Sequence, residues 1–117
     1  AFKTVVAAGQ AAPCWSTRVG KYVFTANTGS KTLSRLVATG NNTFIDSPVA
    51  ATIPGGAPSD IDAARGVLGV IDHDAGQSHL SLFTYNAFGE LKAAGSVIVL
   101  GVPNANGVAI VPPTDND

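Results

Sequence analysis

Three stretches decide the fold: Ala11-Ala12-Pro13-Cys14-Trp15, Gly56-Ala57-Pro58-Ser59-Asp60 and Gly101-Val102-Pro103-Asn104-Ala105. Their prolines stand 45 positions apart, from Pro13 to Pro58 and again from Pro58 to Pro103. Each proline follows a short β-rich apolar run: Lys3-Thr4-Val5-Val6, Val49-Ala50-Ala51-Thr52-Ile53 and Val97-Ile98-Val99-Leu100. The match extends downstream, with Tyr22-Val23-Phe24-Thr25-Ala26-Asn27 opposite Val67-Leu68-Gly69-Val70-Ile71-Asp72. Leu33-Ser34-Arg35-Leu36 then aligns with Leu80-Ser81-Leu82-Phe83 at a spacing of 47, and a later two-residue shortening restores the 45. A fixed period of this length marks a chain built from one repeated supersecondary unit.

Within one unit the runs are short, rich in Val, Ile, Thr, Leu and aromatics, and separated by turn residues. The turns of the first unit are Val19-Gly20-Lys21, Thr28-Gly29-Ser30, Thr39-Gly40-Asn41-Asn42 and Pro54-Gly55-Gly56. Those of the second are Arg65-Gly66, Asp74-Ala75-Gly76-Gln77 and Asn86-Ala87-Phe88-Gly89. No glycine-free window sustains an apolar stripe at helical spacing, so the unit reads as four strands and no helix. Four antiparallel strands every 40 to 50 residues are the signature of β-propeller blades. The expected fold is therefore all-β: two complete blades, 13–57 and 58–102, each a four-stranded antiparallel sheet, within a larger ring. Residues 1–12 carry the outer strand of a preceding blade. Residues 103–117 carry the inner strand of a further one, through Asn106–Val111, and a polar tail. Val97-Ile98-Val99-Leu100, apolar on both faces, suits a strand buried between layers.

Composition sets the boundaries. At 117 residues with 45% hydrophobic side chains, the chain is one domain's worth of material and too apolar for a disordered segment. A formal net charge of −1 offers nothing to nucleic acid or to an anionic membrane surface. No apolar run reaches the length of a membrane-spanning helix. A single cysteine, Cys14, excludes an intrachain disulfide and any cysteine-based zinc site. The chain has no Met and opens on Ala1 without a signal-peptide pattern, so it reads as a processed chain or fragment. Charged residues are only 13%, about half the usual share, so much of the surface is expected to lie against something else. A blade face of roughly 300 Å² left bare forfeits about 8 kcal/mol of burial. The expected partners are further propeller blades, from the same precursor or from a companion chain.

Pro13-Cys14-Trp15, followed by Gly20-Lys21-Tyr22-Val23-Phe24-Thr25-Ala26-Asn27-Thr28-Gly29-Ser30, resembles the seven-bladed β-propeller lactonase family. That family includes 6-phosphogluconolactonase and carboxymuconate lactonizing enzyme. Pro58-Ser59-Asp60-Ile61-Asp62 is similar to its next blade, and Pro103-Asn104-Ala105-Asn106-Gly107-Val108-Ala109 to the end of its secreted members. The resemblance covers most of the chain and about a third of such a ring. It implies a secreted protein that hydrolyses or forms a sugar or muconate-type lactone. The turns at Thr17–Lys21 and Ala63–Gly66 are shorter than the family's, and none of the family's acid, base or arginine groups matches a position here. Two other functions stand beside the lactonase: a non-catalytic propeller platform for binding, and a structural segment of a multi-chain ring.

Blade geometry sorts the remaining residues. The loops around Pro13, Pro58 and Pro103 share one rim with the second-to-third-strand loops at Asn27–Ser30 and Asp72–Gln77. That rim is the expected ligand face, where a small lactone or sugar meets Asn27, Trp15, Asp60 and Asn104. Asp72-His73-Asp74, with His79 nearby, is the one titratable cluster. There His73 can act as a general base oriented by Asp72 or Asp74, or the group can ligate a cation, or it is an ordinary solvated turn. Asp60 and Asp62, two apart on a strand, point to one face and either line the tunnel or tie neighbouring inner strands together. Trp15 either stacks on a ligand or packs between blades. Cys14 lacks a local basic partner and is expected small, buried and inert. Asn41-Asn42-Thr43 is an N-glycosylation acceptor on the opposite rim. No phosphate loop, nucleophile elbow or cofactor motif is present, and neither metal nor cofactor is called for.

Overall fold

The computed structural model describes residues 9–99 and 101–112. They form eight strands: β1 (Pro13–Val19), β2 (Tyr22–Asn27), β3 (Thr32–Thr39), β4 (Asn42–Thr52), β5 (Ala57–Ala64), β6 (Val67–Asp74), β7 (Gln77–Tyr85) and β8 (Leu91–Val99). These make two four-stranded antiparallel meanders, β1-β2-β3-β4 and β5-β6-β7-β8, and no helix occurs among the described residues. The turns fall where the glycines were read. Arg65-Gly66 and Ala75-Gly76 are two-residue hairpins with positive φ at both positions, +47° and +86° in one, +46° and +81° in the other. That backbone matches the right-handed twist of the flanking strands, which is why a non-glycine residue is held there.

The two sheets repeat each other in detail. Pro13 pairs with Asn27 and Pro58 with Asp72, and each proline is followed by a one-residue bulge, at Cys14 and at Ser59. The 47-residue spacing has a structural cause. The β6–β7 hairpin is longer by two residues than β2–β3, and β4 compensates by bulging against β3 between Ser47 and Ala51.

The core lies between the sheets. Tyr22, Phe24, Ala26, Leu33 and Val37 of the first face Ile61, Leu68, Val70 and Phe83 of the second. Pleating explains the selection, because alternate residues of each strand point to that face and register aligns them across strands. The sheets meet chiefly through β1, β2 and β5. They splay toward β4 and β8, where Phe44 and Ile98, each on the inward-looking face, remain 51% exposed. Two sheets joined at their inner strands and spread at their outer ones are propeller-like blades.

Arg35 bridges the splay. Its guanidinium pairs with Asp46 at 2.6 Å, lies 5.3 Å from the Tyr22 ring centroid, and donates to the Gly89 carbonyl at 2.8 Å. Gly89 is glycine for a close approach, since a Cβ there would sit 2.9 Å from the Tyr22 ring.

Three expectations change. Val97 and Ile98 are exposed rather than buried between layers, because β8 is the outermost strand of the splayed pair. Cys14 is exposed, because it is a bulge residue on the edge strand β1. Asn106–Val111 carries no sheet ladder. A strand needs a neighbour to bond, and this segment instead lies along β5, bonded to side chains. The outer strand read at Lys3–Val6 lies outside the described residues.

Candidate functional site

The rim expected to bind is built from paired elements. In the second sheet, Asp72 lies two residues before the end of β6 and is fully buried. Its Oδ1 lies 3.0 Å from His79 Nδ1, and its Oδ2 accepts from Ser81 Oγ at 2.8 Å. His79 stands directly across from Asp72 on β7, and Ser81 two residues further on the same face. A carboxylate only accepts, so His79 carries its proton on Nδ1. The β4–β5 link runs over this pair: a Cβ on Gly55 would collide with the Asp72 carboxylate and sit 2.9 Å from His79 Nδ1.

The first sheet holds the same triplet in neutral form. Asn27, the positional counterpart of Asp72, donates through Nδ2 to Thr32 Oγ1 at 3.1 Å and to Ser34 Oγ at 2.8 Å. Thr32 stands across from Asn27 as His79 does from Asp72. The Thr32 hydroxyl donates a hydrogen bond to Gln10 Oε1, and the Ser34 hydroxyl one to the Pro48 carbonyl. Asn27 Oδ1 is buried without a partner among the described residues.

A second motif also repeats. Thr28, one residue after Asn27, donates to the Pro58 carbonyl at 2.7 Å. His73, one residue after Asp72, places Nε2 3.1 Å from the Ala105 carbonyl. A carbonyl cannot donate, so Nε2 is the protonated nitrogen of His73. Each sheet thus ties the end of its second strand to the stretch of chain that follows that sheet.

The sequence-expected residues distribute as follows. Asp72 and His73, being adjacent on a strand, point to opposite faces of β6, and Asp72 orients His79. Asp74 is exposed at the hairpin end. Asp60 Oδ2 accepts from Val108 N at 2.9 Å, and Asp62 Oδ2 from Ile110 N at 2.6 Å. Trp15 is half exposed on β1, and Asn104 is exposed in the loop after β8. Asn41 is exposed in the β3–β4 turn, at the opposite end of the sheet from Asn27. No group of three or more metal-ligating side chains occurs among the described residues.

Sequence reading missed Thr32, Ser34 and Ser81. Their signal was present in Thr32-Leu33-Ser34 and His79-Leu80-Ser81, two polar positions flanking a leucine at the start of each third strand. One open cleft of about 560 Å³ lies away from this rim, between Val19, Lys21, Tyr22, Tyr85 and Asn86. Its Asn86 is spent on its own turn, bonding Phe88 N, Glu90 N and the Glu90 carboxylate. No family model matches the chain, and no curated protein or solved structure matches it either.

Proposed function

We propose that this chain supplies two successive blades of a β-propeller and serves as a non-catalytic structural and binding platform, completed by further blades of the same precursor or of a companion chain. One observation carries the reading. The titratable triplet Asp72–His79–Ser81 occupies the positions of Asn27–Thr32–Ser34, which holds no acid or base. A device present in every unit, with or without titratable groups, fastens a hairpin rather than turning over a substrate. His73 is likewise spent on a backbone carbonyl, as Thr28 is. The ligand face of the platform is the rim that carries Trp15, Asp74 and Asn104. Substituting His79→Ala tests the role: a large loss of stability is expected, with no lactone turnover to lose.

A lactonase-type activity, implied by the family likeness, is the second reading, and one feature favours it. Asp72 fixes His79 through Nδ1, which leaves Nε2 as a proton acceptor. Hydrolysis of a simple sugar lactone by the chain, abolished in His79→Ala and in Asp72→Asn, would establish this reading and overturn the platform. The secreted, glycosylated character rests on the exposed turn at Asn41, where a glycan clears the rim. An intact mass of the natural material with no glycan increment, or a glycan increment that persists in the Asn41→Gln variant, contradicts that assignment.

A further inference from the structure

We propose that Asn106 is a site of spontaneous covalent modification, where the backbone nitrogen of Gly107 closes on the side-chain amide and the product loosens residues 106–110 from the second sheet. The proposal uses only groups of this chain and stands apart from the platform reading. Asn106-Gly107 is the one Asn-Gly pair in the sequence. Both residues are exposed, in a stretch without regular structure. Neither the Asn106 side chain nor the Gly107 amide has a hydrogen-bond partner among the described residues. Gly107 has φ +108°, a backbone that glycine adopts readily, and a Cβ built there meets nothing within 4 Å, so the space beside it is open. The other described asparagines each lack a condition. Asn104, in the same loop, precedes Ala105, whose N–H is held by Ser78 Oγ at 2.8 Å. Asn27 is fully buried, and the amide after it, Thr28 N, donates to the Ala12 carbonyl at 2.9 Å. Asn86 has both ends of its side-chain amide engaged, by Phe88 N, Glu90 N and the Glu90 carboxylate. Asn41 and Asn42 are followed by residues whose side chains crowd a ring closing on the next nitrogen.

The step balances with water as its only co-reactant. Gly107 N gives its proton to solvent base and attacks Asn106 Cγ. The N–Cγ bond forms, the Cγ–Nδ2 bond breaks, and Nδ2 takes a proton from solvent and leaves as ammonia. A five-membered succinimide results, and water opens it at either of its two carbonyls. Opening at Cγ leaves an ordinary aspartate. Opening at the backbone carbonyl leaves isoaspartate, whose main chain runs through the former side chain and is one atom longer. Nothing is oxidised or reduced. Location gives the change its consequence. Ala105 is fixed by Ser78 through its N–H and by His73 through its carbonyl, while Val108 N and Ile110 N are fixed on Asp60 and Asp62. Asn106 and Gly107 are the span between these anchors. A longer main chain puts the two sets out of register, and either product sets a negative charge two residues from the amide that Asp60 holds.

Ageing the chain at mildly alkaline pH and physiological temperature tests this. The peptide 93–117, released by cleavage after Lys92, is expected to gain the mass of an amide-to-acid exchange. Fragmentation should place that gain at residue 106, with Edman sequencing halted there in the isoaspartyl fraction, while Asn104 stays intact. The native rate at Asn106 is expected to lie within about tenfold of the rate in the urea-unfolded chain. A native rate slower than that, or Asn104 converting as fast as Asn106, overturns the proposal. In the purified isoaspartyl form, the amides of Val108 and Ile110 should exchange at least about tenfold faster than in the unmodified chain. Unchanged exchange at both overturns the loosening. Asn106→Gln keeps the amide but needs a larger ring to close, so its mass and its protection at Val108 and Ile110 are expected to survive ageing. Protection lost in aged Asn106→Gln as fast as in the parent chain would assign the loss to another cause and overturn the proposal. None of these readouts depends on whether the chain turns over a lactone.

Discussion

The two sheets solve one problem with different chemistry. Each must close the hairpin between its second and third strands over a buried polar position, at Asn27 in the first and Asp72 in the second. The first uses an amide that donates to two hydroxyls and leaves its own oxygen unpartnered among the described residues. The second uses a carboxylate whose two oxygens meet an imidazole and a hydroxyl. In the first, Gln10 brings a side chain to the cluster; in the second, Gly55, 45 positions on, brings bare backbone. The difference teaches that the repeat conserves a geometric knot, and that its ionisable groups are one way of tying it.

Substitutions can break the comparison at either sheet, with stability read from urea unfolding. Asp72→Ala strands His79 and Ser81 in a buried place and should cost about 4 kcal/mol. Asp72→Asn, which imports the first sheet's amide, should cost only about 1 kcal/mol. The reverse exchange is expected to be worse. Asn27→Asp sets a buried carboxylate against hydroxyls already committed to Gln10 and Pro48, at about 3 kcal/mol. If the two exchanges cost the same, the sheets are not differently wired. Gly55→Ala drives a Cβ into the Asp72 carboxylate and should cost about 2 kcal/mol. Smallest is Arg35→Ala, about 1 kcal/mol, since the lost pair with Asp46 is partly solvated and the stacking on Tyr22 is modest.

The repeat, the eight strands and their turns were legible in the chain because glycine and proline punctuate it at a fixed period. The wiring of the rim was only half legible. Adjacency in sequence groups Asp72 with His73 and Asp74, whereas the pleat sends His73 to the other face and cross-strand register selects His79. Register depends on hairpin length, and the β6–β7 hairpin is two residues longer than its counterpart. Val97-Ile98 reads the same whether a strand is sandwiched or lies at the splayed outer edge, so exposure there could not be foreseen. Asn106–Val111 has a strand's pattern, yet pairing is a property of neighbours and not of the segment. The tie from Asp60 and Asp62 to the next stretch of chain was among the expected alternatives, because two carboxylates two residues apart share a face.

The central claim is that these two blades are an incomplete stack, with apolar flanks built to receive others. Sedimentation of the 117-residue chain over a range of concentrations tests it most directly. Concentration-dependent association, or a chain that unfolds when kept dilute, is the result expected. A monodisperse monomer that unfolds cooperatively at every concentration would contradict it.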